Sequence, residues 1–396
     1  MAVPIDLPVL DVANPVITQS TRLPDGDITL AHPIIAKNLE KIHLVGGNRS
    51  RIIWSGDPAI GAIQFHGIRH GSIGGAGPLG FEILAARDGT RAAVLITNSD
   101  VPSGFISTSI VVEGVNIRHG GYQTAFDIGF SVDSYAGDPA KIKGGNNNEN
   151  HRFIRCGVES CKVAAYHIRG HQTWDTTFIE CGGHDTGRVD PATGTNTKCW
   201  IYGVWAEEGA SIIAKNCQFN RAKCDYFLGW PTTRLTVEGG NSEHCQQFVS
   251  NIVRNPLTGV VEKLATSGDY YIHIRDQRFD CEPLETMPVI DLCGRGPITV
   301  ANSFFFGING VSPRFDCTNY YANVNGLPVY FRGRLDLSGV TFGQSGGVLP
   351  TGPIVKTPPT WTPRLFGVEH KFIDNAGKVH WRPVVANQPL QAAVEN

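Results

Sequence analysis

Acidic side chains suited to sugar chemistry are concentrated between residues 174 and 208. Hydrolysis of a glycosidic bond needs two carboxylates about 5–10 Å apart, whereas β-elimination needs a base beside a uronate. The carboxylates of this stretch form the pool from which a hydrolytic pair would come: Asp175, Glu180, Asp185, Glu207 and Glu208. Because the residues alone do not assign the pair, we predict glycan binding ahead of glycan cleavage.

Aromatic and basic side chains flank these acids. An aromatic ring can stack on the face of a sugar while charged groups bind its hydroxyls. The candidate glycan-binding residues of this region are Trp174, His184, Arg188 and Trp205. The polar segment Gly182–Thr197 is equally typical of an ordinary exposed loop, in which Asp, Gly and Thr serve the turns.

A second candidate row lies in the segment Asp269–Asp276. Strand alternation would place Tyr271, His273 and Arg275 on one face and the intervening isoleucines on the other. Such a row could bind an anionic glycan. It could equally form the interface with a second subunit, and both alternatives stand.

Motifs for metals and cofactors are missing from the sequence. The ten cysteines include no CxxC pair and no histidine at zinc spacing. Several of them follow apolar, strand-like residues, so we expect reduced thiols that are mostly buried. There is also no phosphate loop, dinucleotide fingerprint or nucleophile elbow. We therefore predict neither a metal nor a cofactor.

Charge and hydropathy exclude two classes of partner. The formal net charge is −2 and no basic run is present, which argues against nucleic acid. No apolar run approaches the roughly 20 residues that cross a bilayer. The segment Met1–Asp6 lacks the features of a secretory signal, so we expect folding in the cytoplasm of a host cell.

The spacing of phenylalanines reveals a repeat. Phe153 and Phe178 lie 25 residues apart in similar contexts, and Phe219 follows 41 residues later. Excising the 16 residues Gly182–Thr197 restores the interval of 25. Phe279 and Phe304 again differ by 25. A period near 25 predicts three short strands per coil of a solenoid.

Composition supports the same architecture. The 46 Gly and 24 Pro, with only 2 Met, favour strands and turns over helices. We predict an all-β chain that forms a single right-handed parallel β-helix with loops on its flanks. A lead covers residues 1–22, the β-helix covers 23–345, and a Pro-rich tail covers 346–396. Residues 366–368 and 379–381 are candidates for a small terminal hairpin or cap.

Three motifs carry a resemblance to a known superfamily: Leu23–Gly26, Leu44–Gly47 and the Phe-Ile-x-Cys repeats at Phe153 and Phe178. They resemble the pectate-lyase-like superfamily of right-handed parallel β-helices, and in particular the β-helices of bacteriophage tailspikes, over about residues 20 to 345. The resemblance implies a homotrimer within a virion. The lead of about 20 residues is shorter than the particle-binding domain that many tailspikes carry.

Three functions from different classes follow. The first is a virion spike or fibre protein, assembled in the host cytoplasm beside other virion proteins, that binds bacterial surface polysaccharide and could also cleave it. The second is a free polysaccharide lyase or glycoside hydrolase. The third is a decoration or connector subunit without a ligand. The absence of a secretory signal favours the first over the second, and the sequence does not decide between the first and the third.

Overall fold

The structure is a computed structural model. It describes residues 6–89, 91–98, 106–119, 124–134, 148–159, 161–170, 173–184, 188–189, 196–197, 202–208, 210–229, 234–254, 258, 260–264, 270–294, 296–319, 321–322, 328–329 and 333–390. The chain divides into two compact units, unit 1 (Met1–Ile212) and unit 2 (Ile213–Asn396). Among the described residues, the only helix is a single 3-10 turn at Gly77–Leu79, and no helix is long and apolar enough to cross a membrane.

Unit 1 is built from short strands. They are β1 (Thr21–Arg22), β2 (Asp27–Leu30), β3 (Ile34–Val45), β4 (Arg51–Trp54), β5 (Ile63–Gly74), β6 (Phe81–Ala85), β7 (Ala92–Thr97), β8 (Ser107–Thr108), β9 (Ile110–Glu113), β10 (Val115–His119), β11 (Ile128–Asp133), β12 (Asn148–Glu149), β13 (Arg152–Ile154), β14 (Gly157–Glu159), β15 (Ala164–Arg169), β16 (Thr173–Ile179), β17 (Gly182–His184), β18 (Arg188–Val189), β19 (Asn196–Thr197), β20 (Tyr202–Ala206) and β21 (Ala210–Asn220), the last of which spans the division.

Unit 2 continues with strands of similar length. They are β22 (Cys224–Leu228), β23 (Arg234–Cys245), β24 (Gln247–Ser250), β25 (Ile252–Arg254), β26 (Val261–Leu264), β27 (Tyr271–Arg275), β28 (Arg278–Cys281), β29 (Ile290–Cys293), β30 (Pro297–Ala301), β31 (Phe304–Gly307), β32 (Phe315–Asn319), β33 (Tyr321–Ala322), β34 (Pro328–Val329), β35 (Arg334–Ser338), β36 (Thr341–Ser345), β37 (Val355–Lys356), β38 (Thr362–Phe366), β39 (Glu369–Ile373) and β40 (Val379–Pro383).

Within each unit, parallel pairing stacks the strands into three columns, which we call sides A, B and C in chain order. In unit 1, side A contains the first half of β5 with β7, β11, β15 and β20. Side B contains the second half of β5 with β9, β13 and the end of β16, and side C contains β2, β4, β6, β10, β14 and β17. The predicted all-β parallel β-helix is confirmed in both units.

The three sides of unit 2 follow the same order. Side A contains β22, β24, β29, β32 and β37. Side B contains the first half of β23 with β27, β30, β35 and β38, and side C contains the second half of β23 with β28, β31, β36 and β39.

The core of unit 1 contains the phenylalanine ladder that the spacing predicted. Phe153 pairs with Phe178 in register, and their rings stack at 5.2 Å with an interplanar angle of 17°. Phe130 and Tyr166 stack beside them at 5.4 Å. Each of these buried rings contributes about 1.5–3 kcal/mol through removal of apolar surface from water.

In unit 2 the register differs by one residue from the predicted one. Phe279 pairs with Phe305, whereas Phe304 stands opposite Arg278. Phe305 is fully buried, and Phe304 points outward, where its ring stacks on Phe306 at 5.5 Å. The assumed constant period of 25 was wrong here because this coil contains one residue more.

Regular coils extend beyond residue 345. Strands β38 and β39 pair in parallel with β35 and β36, so the stacking continues to Ile373. Then β39 and β40 form an antiparallel hairpin, with Ile373 opposite Val379. The prolines of this region lie between these strands and at the ends of some of them.

The predicted insertion and one further segment form antiparallel hairpins. One consists of β18 and β19, and the other of β25 and β26. The first begins later than the sequence suggested, because Gly182–His184 pairs with Gly157–Glu159 as an ordinary strand of side C.

Nine of the ten cysteines are described, and all nine are free and buried. Cys199 lies outside the described residues. Among the described cysteines, burial raises the thiol pKa well above its usual range at Cys224 and Cys281. Such thiols act as small apolar side chains of the core.

Candidate functional site

The outward side chains of side A in unit 1 form a row across successive coils. Ser131 pairs with His167, and His167 pairs with Trp205. Ser131 and His167 alternate with the core residues Phe130, Tyr166 and Ile168 along their strands. Parallel strands lie about 4.8 Å apart, so this row places a hydroxyl, an imidazole and an indole side by side.

Hydrogen bonds engage both nitrogens of His167. Nδ1 lies 2.9 Å from Oγ of Ser131, and Nε2 lies 3.0 Å from Oε2 of Glu207. In the neutral imidazole, Nε2–H donates to the carboxylate, so Nδ1 accepts from the serine hydroxyl. The ring is 5% exposed, which leaves it little freedom to turn.

Glu207 follows directly after β20 and is fixed by its backbone as well as by its side chain. Its backbone N–H donates to the carbonyl of Ile168 at 2.9 Å, which places Glu207 beside Arg169. Nε of Arg169 lies 3.5 Å from Oε2 of the glutamate. The carboxylate is held by two partners while about a third of the side chain, 34%, stays exposed.

Aromatic rings pack against the imidazole that holds this carboxylate. The Trp205 ring lies 4.7 Å from the His167 ring at a 43° tilt, and Tyr202 lies 5.7 Å from Trp205. Both Trp205 and Tyr202 are half-buried. The Trp205 indole, which packs against the His167 imidazole, thus offers a rigid apolar surface near the Glu207 carboxylate.

Ser131, His167 and Glu207 have the connectivity of a nucleophile, its base and an orienting acid. Attack by a serine requires access to the substrate, however, and Ser131 is only 3% exposed. The geometry therefore supports a positioning role for Ser131, which fixes the imidazole that in turn fixes Glu207. Among the described residues, no group of three or more His, Cys, Asp or Glu side chains could hold a metal ion.

The structure divides the predicted pool among several places. Trp205, Glu207 and half-exposed Glu208 lie at the end of side A, close to its turn into side B. Asp175 lies in that same turn one coil earlier, in a cavity of about 570 Å³ shared with Arg152 and Thr177 of side B. Trp174 is half-buried beside it.

Two further candidates lie elsewhere on the coil. Glu180 is exposed in the turn between sides B and C, and His184 is exposed at the end of side C opposite Glu159. Asp185 lies outside the described residues, as does the side chain of Arg188, whose backbone belongs to β18.

Backbone conformation explains why Asp175 and Glu180 occur where they do. Both have left-handed φ values, 56° and 53°. Asn150 and Arg155, in the same turns of the preceding coil, have φ of 60° and 49°, and Gly114 has 63° one coil before Arg155. The positions demand a left-handed bend whatever the side chain, so an acid there carries little functional information.

The second predicted row is arranged as its alternation indicated. Tyr271, His273 and Arg275 are exposed, and the two isoleucines between them are buried. The guanidinium of Arg234 stacks over the Tyr271 ring at 5.4 Å, and Arg275 pairs with Glu238 at 2.9 Å. This row lies on side B of unit 2 and shares no residue with the cluster of Trp205, His167 and Glu207.

The sequence did not identify Ser131, Asp133, His167 or Arg169. Ser131 and His167 are 36 residues apart, and His167 and Trp205 are 38 apart, which departs from the period of 25. The available signal was local: in Ala164–Arg169 the polar His167 and Arg169 alternate with apolar residues. That pattern predicts that both polar side chains lie on the outward face of one strand, but it does not identify their partners.

No protein-family model matches the sequence, and no curated protein matches it. Among solved structures, the catalytic domain of a GH87 alpha-1,3-glucanase in complex with nigerose is similar, with 11% identity and a TM-score of 0.43 over 87% of this chain and 63% of that one. The gp42 tailspike of Acinetobacter phage vb_AbaP_AS12 shows 10% identity and a TM-score of 0.39 over 94% of this chain and 61% of that one. This chain thus spans less than two thirds of either protein. The fold assignment rests on the strand pairing of the chain itself.

Proposed function

We propose that this chain is a spike or fibre protein of a phage or phage-like virion, and that side A of unit 1 binds a bacterial surface polysaccharide. The observation that carries the binding proposal is the cluster in which Trp205 rests on His167 at 4.7 Å while His167 holds the Glu207 carboxylate at 3.0 Å. An aromatic surface beside a fixed, partly exposed acid suits a sugar ring with its hydroxyls.

The physical advantage of this cluster is its rigidity. Saccharides are polar and strongly hydrated, so a binding site must offer hydrogen bonds without the cost of ordering its own side chains. Glu207 is already held by His167 and Arg169. Its remaining lone pairs can accept from sugar hydroxyls while Trp205 covers the ring.

The virion assignment has a different support. It rests on the resemblance of Leu23–Gly26, Leu44–Gly47 and the Phe-Ile-x-Cys repeats to tailspike β-helices. Mass spectrometry of particles purified from lysed cells should find this chain in a fixed ratio to the other structural proteins. Its recovery only in the soluble fraction of the lysate would contradict the assignment.

Binding is tested with two substitutions and a matched control. Trp205→Ala and Glu207→Gln should each weaken binding to a host-cell polysaccharide at least about tenfold, which corresponds to about 1.4 kcal/mol. Phe366→Ala removes an aromatic ring that is 82% exposed outside this cluster and should leave binding unchanged. Binding by both cluster variants equal to that of the unaltered protein would reject side A of unit 1 as the site. Absence of binding by the unaltered protein would favour the decoration-subunit alternative.

Hydrolysis is a second candidate function, favoured by one arrangement. Asp133 pairs with Arg169, and Glu207 follows beside Arg169 in the next coil. The backbones of two acids two coils apart are about 9.6 Å apart, just above the about 6.5–9.5 Å that separates the carboxyl groups of inverting glycosidases.

Release of reducing ends from a bound polysaccharide tests this second function. If the pair acts in hydrolysis, Asp133 would be the base that activates a water molecule, so Asp133→Asn should abolish release. Because Asp133 is only 5% exposed, it offers little surface to the sugar, and binding should stay intact. Intact polysaccharide after long incubation with the unaltered protein would exclude it.

A further inference from the structure

Unit 2 contains a cavity of about 260 Å³ at the end of side A. Its wall includes residues from four segments that flank or belong to side A strands. Its charged lining residues are Arg254, Glu285, Arg314, Asp316 and Lys356. The cavity is thus a built concave surface and not a fold of one flexible loop.

A buried ion pair forms part of its base. Asp291 is fully buried, and its Oδ1 accepts a hydrogen bond from Nη2 of Arg254 at 2.9 Å. The side chain of Arg254 is 12% exposed. Asp291 pairs in register with Asp316, and Asp316 with Lys356, so three successive coils contribute a charge to this side.

The other charged side chains around the cavity form no close ion pairs with each other. Among the described residues, the side chains of Arg314, Asp316, Lys356 and Glu285 form no ion pair within 4.0 Å. Arg314 donates to the backbone carbonyl of Glu285, and Oδ1 of Asp316 accepts from the Thr318 N–H at 2.9 Å. A concave surface with a few convergent polar groups has the features of a small-molecule site.

The charges of the cavity differ in burial. Arg314, Lys356 and Asp316 are half-buried, whereas Glu285 is exposed at the rim. Desolvation lowers the pKa of the Arg314 guanidinium, although the nearby carboxylates partly offset it. A half-buried cation without an ion-pair partner is unfavourable, and an anion bound beside it would recover that cost.

We infer that this cavity binds a single hydroxylated ring that bears one anionic group. Arg314 and Lys356 would hold the anion, since a guanidinium fork and an ammonium both suit carboxylate and phosphate oxygens. The carboxylates of Asp316 and Glu285 would accept from ring hydroxyls. A volume below the about 300–1,000 Å³ of drug-sized sites fits one sugar ring and no more.

The site is separate from the proposed glycan site of unit 1. It shares no residue with the cluster of Trp205, His167 and Glu207. The cavity would bind a single ring, whereas that cluster would bind part of a polymer. Failure of either proposal therefore leaves the other standing.

Hexoses of different charge provide the test. Ligand-observed NMR titrations of the unaltered protein use glucuronate, glucose 6-phosphate, glucose and glucosamine. Comparison of the four affinities distinguishes the contribution of the anionic group from that of the sugar ring. We expect either or both anionic sugars to bind at least about tenfold more tightly than glucose. Glucosamine should bind no better than glucose. Equal binding of all four sugars, or preference for glucosamine, would overturn the inference.

Substitutions locate the binding. Arg314→Gln and Lys356→Gln should each weaken binding of the preferred anionic sugar at least about fivefold and leave glucose unaffected. Arg364→Gln removes an exposed arginine of β38 outside the cavity and should change nothing. Glu207→Gln should likewise retain binding of the anionic sugar. Anion binding that survives in both cavity variants would contradict the assignment to this cavity.

Discussion

The candidate site depends on His167, because each nitrogen of its imidazole ring has a different hydrogen-bond partner. Ser131 occupies Nδ1 and Glu207 occupies Nε2. Loss of the ring would release the Glu207 side chain and remove the support beneath Trp205. In the proposed site, His167 would therefore position the two groups that contact the glycan.

Two replacements of His167 by amides of different length test its two hydrogen bonds one at a time. A glutamine amide can occupy the position of Nε2 and keep the bond to Glu207, whereas an asparagine amide can occupy the position of Nδ1 and keep the bond to Ser131. We expect His167→Gln to retain more polysaccharide binding than His167→Asn, in a direct binding titration. Thermal unfolding of the two variants serves as the control, and the reverse order of affinities would contradict the positioning role.

Asp225 gives unit 2 a pH-dependent stability. The carboxyl group is fully buried, and burial raises its pKa to about 7 even though Cys245 and Ser242 lie close enough to lower it in part. Among the described residues, neither of its oxygens has a hydrogen-bond partner of normal geometry. The folded protein therefore favours the protonated acid.

The sign of the effect follows from linkage. The ordinary carboxyl pKa of 3.8 lies below the folded value of about 7, so the folded state binds the extra proton between these values. The free energy of unfolding should fall as pH rises from about 4 to about 7, by up to about 4 kcal/mol from this group. Asp225→Asn should match the unaltered protein at pH 4 and exceed it at pH 8 in urea unfolding. Parallel pH profiles for the two proteins would refute this.

At the scale of elements, the hairpin of β18 and β19 is an addition to a regular coil. Gly182–His184 belongs to the coil itself, since it pairs with Gly157–Glu159. Insertions outside the stacked strands cost little more than loop-closure entropy. The boundary between coil and insertion therefore lies after His184.

Two deletions distinguish these parts. Removal of residues 185–197 should leave the thermal unfolding midpoint within a few degrees of the unaltered protein. Removal of 182–197 also takes out a strand of side C and should lower the midpoint by about 5 °C or more. Equal midpoints for the two deletions would show that Gly182–His184 contributes nothing to the coil.

Elements with a constant spacing were predictable from the sequence, and the others were not. Phe153 and Phe178 pair because their coils have equal length, so a simple interval found them. The interval failed at Phe304, where one additional residue changes which side chain faces the core. The Ser131–His167–Glu207 contacts join coils separated by intervals of 36 and 40 residues, and no periodicity in the sequence marks them.

At the scale of the whole molecule, we expect a homotrimer of about 129 kDa, three times the 42.9 kDa of one chain. The expectation follows from the resemblance to tailspike β-helices. Large apolar side chains that are exposed in this chain, among them Val348 and Val260 at 84% and 62%, are consistent with surfaces that a partner covers. Multi-angle light scattering after gel filtration measures the mass directly, and a value near 43 kDa across the accessible concentrations would reject the trimer.

In the proposed complex, side A of unit 1 holds a polysaccharide against Trp205 and Glu207. This arrangement can be tested with a crystal or cryo-electron microscopy structure of the protein bound to an oligosaccharide from a polysaccharide that it binds. We predict density for a sugar ring over the Trp205 indole, with a hydroxyl within hydrogen-bonding distance of the Glu207 carboxylate. Sugar density confined to another surface, such as the row of Tyr271, His273 and Arg275, with side A of unit 1 empty, would contradict it.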